Sequence, residues 1–216
     1  MKQISFITII IIFLLSCMPD VRFEEAQPEG KRNLKKFPQT YRGKYLNLND
    51  SSVLTISSRE ISREWNQFSV IDKDSLFIEL DTIFEDDIVL KLSDNWQIEV
   101  KLIGDSAEIK SHRMHSVFSI SENDKLRKYK GYLFLNYFLA ENSWDVEVLK
   151  KENDSLRFEK LVYVSDIDTL SEIINMETVT DTVSNKIQEY ILKPKRKELR
   201  QILKAKKAGR VYIKLD

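Results

Sequence analysis

Cysteine is almost missing from this chain, with one residue, Cys17, in 216. That excludes an intramolecular disulfide framework and any multi-cysteine zinc site. Glycine is scarce as well. The five glycines (Gly30, Gly43, Gly104, Gly131 and Gly209) lie too far apart to write a Rossmann or P-loop phosphate cradle. No Gly-x-Ser-x-Gly elbow occurs, so the usual signature of an α/β-hydrolase nucleophile is missing. Neither sign of charge is in excess, at 34 Lys+Arg against 34 Asp+Glu, and no nucleic-acid partner is expected. What the chain does have is 42% hydrophobic and 10% aromatic residues, enough for a packed core in one ordinary domain.

The apolar residues begin at once. One lysine, Lys2, precedes a run of twelve residues from Ile4 to Leu15, the layout of a secretory signal peptide over residues 1–16. The run is shorter than the roughly 20 apolar residues a spanning helix needs. It leads directly into Leu14-Leu15-Ser16-Cys17. This tetrapeptide resembles the lipobox of bacterial lipoprotein precursors, a small residue standing before an obligatory cysteine. The resemblance implies cleavage after Ser16, a diacylglyceryl thioether on Cys17 and fatty acylation of the new amino group. It also implies a lipid-anchored protein of the bacterial cell envelope, at the outer membrane. One acyl chain holds a protein only marginally at a bilayer, whereas two or more anchor it stably.

Beyond the cysteine, residues 17–36 are polar and broken by Pro19, Pro28 and Gly30, which predicts a lipidated flexible tether. Asp20, Glu24 and Glu25 close to the anchor resemble the surface-export signal of some bacterial lipoproteins, and the side of the membrane stays open. The neutral total is unevenly distributed. From Lys186 to Asp216 eleven basic residues face three acidic ones, a net of +8, while Cys17 to Asn185 carries 22 basic and 31 acidic, a net of −9.

From residue 37 to 216 a single β-rich domain is predicted. Period-two apolar runs mark strands at 53–56, 76–80, 88–92, 96–102, 116–120, 144–149 and 211–215, with Trp144, Val146 and Val148 sharing one face. Asp50-Ser51, Asp74-Ser75, Asp105-Ser106 and Asp154-Ser155 punctuate these runs as turn chemistry. The fold expected is mainly β: an antiparallel meander forming a sandwich or open barrel. A short helix near 169–176 starts at a Thr169-x-x-Glu172 capping box. An amphipathic basic helix near 194–208 docks through Leu199, Ile202 and Leu203 and stops at Gly209.

Candidate chemistry is thin. His112 and His115 would share a side only if Arg113-Met114 were a hairpin turn, a poor choice of residues for one; in a continuous strand they point apart. Glu85-Asp86-Asp87 reads as a solvated turn, because an EF-hand loop needs a glycine at its bend. The aromatic block Tyr129 to Phe138 reads as core, or with Trp144 as the lining of a pocket for an apolar ligand, and Tyr41-Arg42-Gly43-Lys44-Tyr45 faintly resembles the opening strand of lipocalin-like barrels. The lysines and arginines of the late helix read as a solvated face or as complements to the acidic remainder, with attraction to anionic lipid as the alternative. No catalytic residue, metal ligand or cofactor is assigned. The leading expectation is a non-catalytic binding or scaffolding role. Its partners are the membrane, through Cys17, and an envelope protein or small apolar ligand. The alternatives are an envelope hydrolase using carboxylates and a lipocalin-like carrier.

Overall fold

The computed structural model describes residues 19–80, 86–183, 186–206 and 209–215; the side chains of residues 77, 79 and 80 are not described. Cys17 and the segment before it therefore lie outside the described residues, as do Glu85, Lys207 and Ala208. The architecture is mainly β. Its strands are β1 (Asp20–Phe23), β2 (Gly43–Asn47), β3 (Val53–Ile56), β4 (Glu60–Asp72), β5 (Ile88–Ser93), β6 (Trp96–Ile103) and β7 (Ser106–Ser119). They continue as β8 (Lys125–Tyr129), β9 (Tyr132–Ala140), β10 (Ser143–Glu152), β11 (Ser155–Lys160), β12 (Met176–Thr180), β13 (Ile187–Leu192) and β14 (Arg210–Lys214). Among the described residues three short α-helices join them: α1 (Lys73–Leu80), α2 (Ile167–Leu170) and α3 (Arg196–Ala205). No helix among the described residues is long and apolar enough to cross a membrane.

All the strands belong to one sheet in the order β12-β13-β1-β10-β11-β14-β2-β3-β4-β7-β6-β5, with β9 on the other edge of β10 and β8 beyond it. Pairing is antiparallel throughout except between β1 and β13, which run parallel with Asp20 opposite Glu189. The sheet curls without closing into a barrel. Two-residue turns drive the meander: Ile103 pairs with Ser106, Tyr129 with Tyr132, and Glu152 with Ser155. Gly104, Lys130 and Asn153 open these turns with φ of 58°, 50° and 55°, as primed hairpin turns require. The Asp-Ser pairs at 105 and 154 sit at these turns as expected, and Asp50 accepts hydrogen bonds from the Ser52 amide (3.0 Å) and hydroxyl (2.6 Å).

Three expectations are corrected. Residues 76–80 form no strand but the body of α1. Asp72 caps it, its carboxylate accepting the Ser75 amide at 3.0 Å, and Leu76 anchors it with 3% of its surface exposed. The short helix expected near 169–176 is α2 at Ile167–Leu170; it continues a 3-10 turn at Val164–Asp166 in which Asp166 accepts the Tyr163 N–H at 2.9 Å, and Met176 already begins β12. Residues 20–36 are no flexible tether: β1 is part of the sheet, and Phe23, Ala26 and Gln27 are buried. Polar contacts hold this stretch down. The buried Asn136 side chain accepts the Gln27 N–H at 2.5 Å and donates to the Gln27 carbonyl at 2.9 Å. Arg127 donates to Asn33 Oδ1 at 2.8 Å and to the carbonyls of Ala26 and Pro28.

Two apolar clusters flank the centre of the sheet. On one side Phe23, Phe134, Val146 and Val148 meet Ile167, Leu170, Leu199, Ile202 and Leu203 from the helices. The docking face expected of the basic helix is thus buried, and Trp144, Val146 and Val148 do share a face. The other cluster fills the concave side of the curl: Phe37, Tyr45, Leu54, Ile61, Phe118, Leu133, Leu135, Leu149, Leu156 and Tyr212. Strand β9 supplies Tyr132 and Phe134 to the first and Leu133 and Leu135 to the second. A third, smaller cluster of Leu76, Val100 and Ala107 lies in the extension built from the far halves of β4 and β7 with β5, β6 and α1.

Candidate polar cleft at the mouth of the curl

Directly paired residues on antiparallel strands face the same side, so register decides which side chains point inward. Leu149 pairs with Leu133 and Phe158, all within the concave core. Two residues back along β10, Glu147 pairs with Leu135 and Lys160, and two further, Asp145 pairs with Tyr137. Across the curl, Arg63 of β4 lies between Leu54 and His115. The inward face thus changes from apolar to charged toward one end. The charged end forms a cleft of about 440 Å³ whose walls include Arg63 and His115 on one side and Tyr137, Asp145, Glu147 and Lys160 on the other. Concave clefts with a few converging polar groups are where ligand sites form.

The two walls differ in electrostatics. The Tyr137 hydroxyl donates to Glu147 Oε2 at 2.5 Å. Burial, and then the neighbouring Glu147 charge, push the Tyr137 phenol far above its usual range. Burial also raises the Glu147 carboxyl, partly offset by the hydrogen bond from Tyr137. Asp145 is paired with Lys160 at 3.2 Å. Opposite them the His115 ring stacks on Trp65, centroids 5.0 Å apart and planes 17° apart. Burial first, then Arg63 and Arg113, lower the His115 pKa, which favours the neutral imidazole. The Arg63 guanidinium lies over Trp65, Phe158 and Tyr212 at 5.6, 5.8 and 5.8 Å from their ring centroids.

Behind β11 is a second groove of about 320 Å³ between α2 and α3, lined by Glu159, Tyr163 and Lys206 among others. Lys206 donates to the Lys160 carbonyl at 2.7 Å and covers the Tyr163 ring at 4.7 Å. It lies 3.6 Å from Glu159 Oε2, which has no hydrogen-bond partner. One charge of the basic helix therefore serves the acidic body, and another, Arg200, donates to the Tyr129 hydroxyl at 2.8 Å.

The residues singled out in the sequence fare unevenly. His112 and His115 sit in the continuous strand β7 and point to opposite faces, and His112 Nδ1 is 2.8 Å from Asn66 Oδ1. Among the described residues no three His, Cys, Asp or Glu side chains gather as metal ligands. Asp87 accepts the Leu102 amide at 2.9 Å, a local structural bond. The middle of the aromatic block is core, with Tyr132, Leu133, Phe134 and Leu135 buried, while Tyr129 and Tyr137 are half-buried and Phe138 is exposed. Tyr137 belongs to the aromatic block expected as core, whereas Arg63 and Glu147 stand in no motif. Their signal is present only as a polar residue sharing a face with a strongly apolar one, as Glu147 does with Leu149. No family model, curated protein or solved structure matches this chain.

Proposed function

We propose that the chain is a lipid-anchored protein of the bacterial cell envelope, held at Cys17 at the outer membrane, whose domain has a non-catalytic binding role served by the mouth cleft. The anchor rests on the apolar run and Leu14-Leu15-Ser16-Cys17. The binding role rests on one observation: charged and aromatic side chains turned inward above a filled apolar core. Strand surfaces that only need solvation turn such residues outward. Because the concave core is packed with side chains, the ligand that fits is polar. A chain acylated at Cys17 reaches β1 at Asp20 within three residues, a span of roughly 10 Å at most, which holds the domain close to the bilayer. Partition into detergent phase and incorporation of a clickable palmitate analogue test the anchor. Wild type should show both and Cys17→Ser neither; acylation of Cys17→Ser overturns it. Native mass spectrometry of the protein purified from its own envelope should reveal a small bound molecule. A bare mass there, with none regained from an envelope extract, overturns the binding role.

A second reading, an envelope hydrolase, draws on Glu147, a carboxyl raised by burial and bonded to a tyrosine within a cleft, as a general acid would be. Turnover of a panel of nitrophenyl glycosides and esters that disappears in Glu147→Gln would favour it.

A further inference from the structure

We propose that the mouth cleft binds an oxyanion, the carboxylate or phosphate group of a small ligand, through the guanidinium of Arg63; this deepens the binding role proposed above and rests on it. Register points Arg63 inward between Leu54 and His115, where 7% of its surface is exposed. Its Nε is buried without an acceptor, and no carboxylate among the described residues comes within ion-pair distance of it. The charge is held by the faces of Trp65, Phe158 and Tyr212, and aromatic faces leave the guanidinium's N–H donors unused.

A buried arginine is normally paired, because desolvating a charge without a partner is costly. Here the charge stands in the wall of an open cleft, so the missing partner has a place to sit. A planar fork of donors best matches a planar or tetrahedral oxyanion taken in two-pronged fashion. Of the acids lining the cleft, Asp145 is paired with Lys160, Glu147 takes the Tyr137 hydroxyl, and Glu159 lies 3.6 Å from Lys206, while Arg63 has no ion pair among the described residues. The ligand's anionic end therefore turns to the β4–β7 wall and its hydrogen-bonding end to the β9–β10 wall. A space of about 440 Å³ suits a small metabolite.

The test uses the detergent-solubilised full-length chain, labelled with nitrogen-15 in its arginines. Sodium phosphate and sodium benzoate are titrated separately against matched sodium chloride, while the slowly exchanging Nε–H signal of buried Arg63 and the melting temperature are followed. A saturable shift of that signal with either oxyanion and not with chloride, together with a higher melting temperature, is expected. The salt that acts tells phosphate from carboxylate. Arg63→Lys, which keeps the charge but loses the fork, should weaken binding about tenfold; if it fails to fold, the wild-type signal decides alone. No saturable shift with either salt overturns the proposal. If a co-purified molecule is nevertheless displaced by Tyr137→Phe, the binding role stands without the oxyanion; if none is present, both fall.

Discussion

Replacing Asn136 by leucine tests the docking of residues 20–36 onto the sheet. Asn136 is fully buried, and its amide closes both backbone groups of the equally buried Gln27 while also donating to the Lys125 carbonyl at 2.9 Å. Leucine has nearly the same size and no polar atoms. The Gln27 N–H and C=O would then lie buried and unpaired, at about 1–3 kcal/mol each. The added apolar burial returns roughly 1–2 kcal/mol. The net expected loss is about 3 kcal/mol, a large share of the 5–15 kcal/mol typical of a domain. Urea unfolding followed by circular dichroism should show the midpoint falling with little change in slope. Limited proteolysis should cut first among Arg22, Lys31 and Arg32, sites slow to cut in wild type. A loss under about 1 kcal/mol with unchanged proteolysis would refute the argument that these hydrogen bonds hold the segment.

Three further outcomes follow from the same packing. Gly209→Ala places a Cβ 2.8 Å from Arg157 Cγ and 3.2 Å from Glu159 Cβ at a φ of +145°; it should lose about 1–3 kcal/mol by urea unfolding. Leu199→Ala removes a side chain with 1% exposure from beneath α3, for an expected loss of about 2–5 kcal/mol, and should speed cleavage within that helix. Burial raises the Glu147 carboxyl in the folded state, so the stability it contributes is present at low pH and lost as pH rises through its folded pKa. The melting temperatures of wild type and Glu147→Gln should accordingly lie closest near pH 4 and separate toward pH 8 with the variant higher. An offset independent of pH would contradict the assignment.

Period-two patterning made most of the sheet legible, because a half-buried strand writes its inner face into every second residue. Trp144, Val146 and Val148 were readable for that reason, and Leu199, Ile202 and Leu203 by the three-and-four spacing of a helix face. Residues 76–80 misled because five residues with four apolar members suit either a strand or one helical turn; the Asp72 cap and the pocket for Leu76 decide between them. The segment from Asp20 to Lys36 looked unstructured because its strand is only four residues long, marked by Val21 and Phe23 alone. Its other ties are polar and distant, from Asn136 and Arg127, and such pairs leave no periodic trace. The cleft was hidden for a different reason. Alternation shows that Glu147 shares a face with Leu149, but not that the far end of the sheet curls over that face.

Strand β9 ties the folding of the two sides together. Because its odd and even side chains enter different clusters, neither the helical side nor the concave side can come apart without opening the other, and the two form one cooperative unit. Among the described residues, the extension built on Leu76, Val100 and Ala107 shares no buried residue with either. It is free to open on its own at lower cost. The amide protons of β9 should therefore outlast those of β5 and β6 in hydrogen exchange, giving a molecule with one strongly protected body and one more readily opened arm.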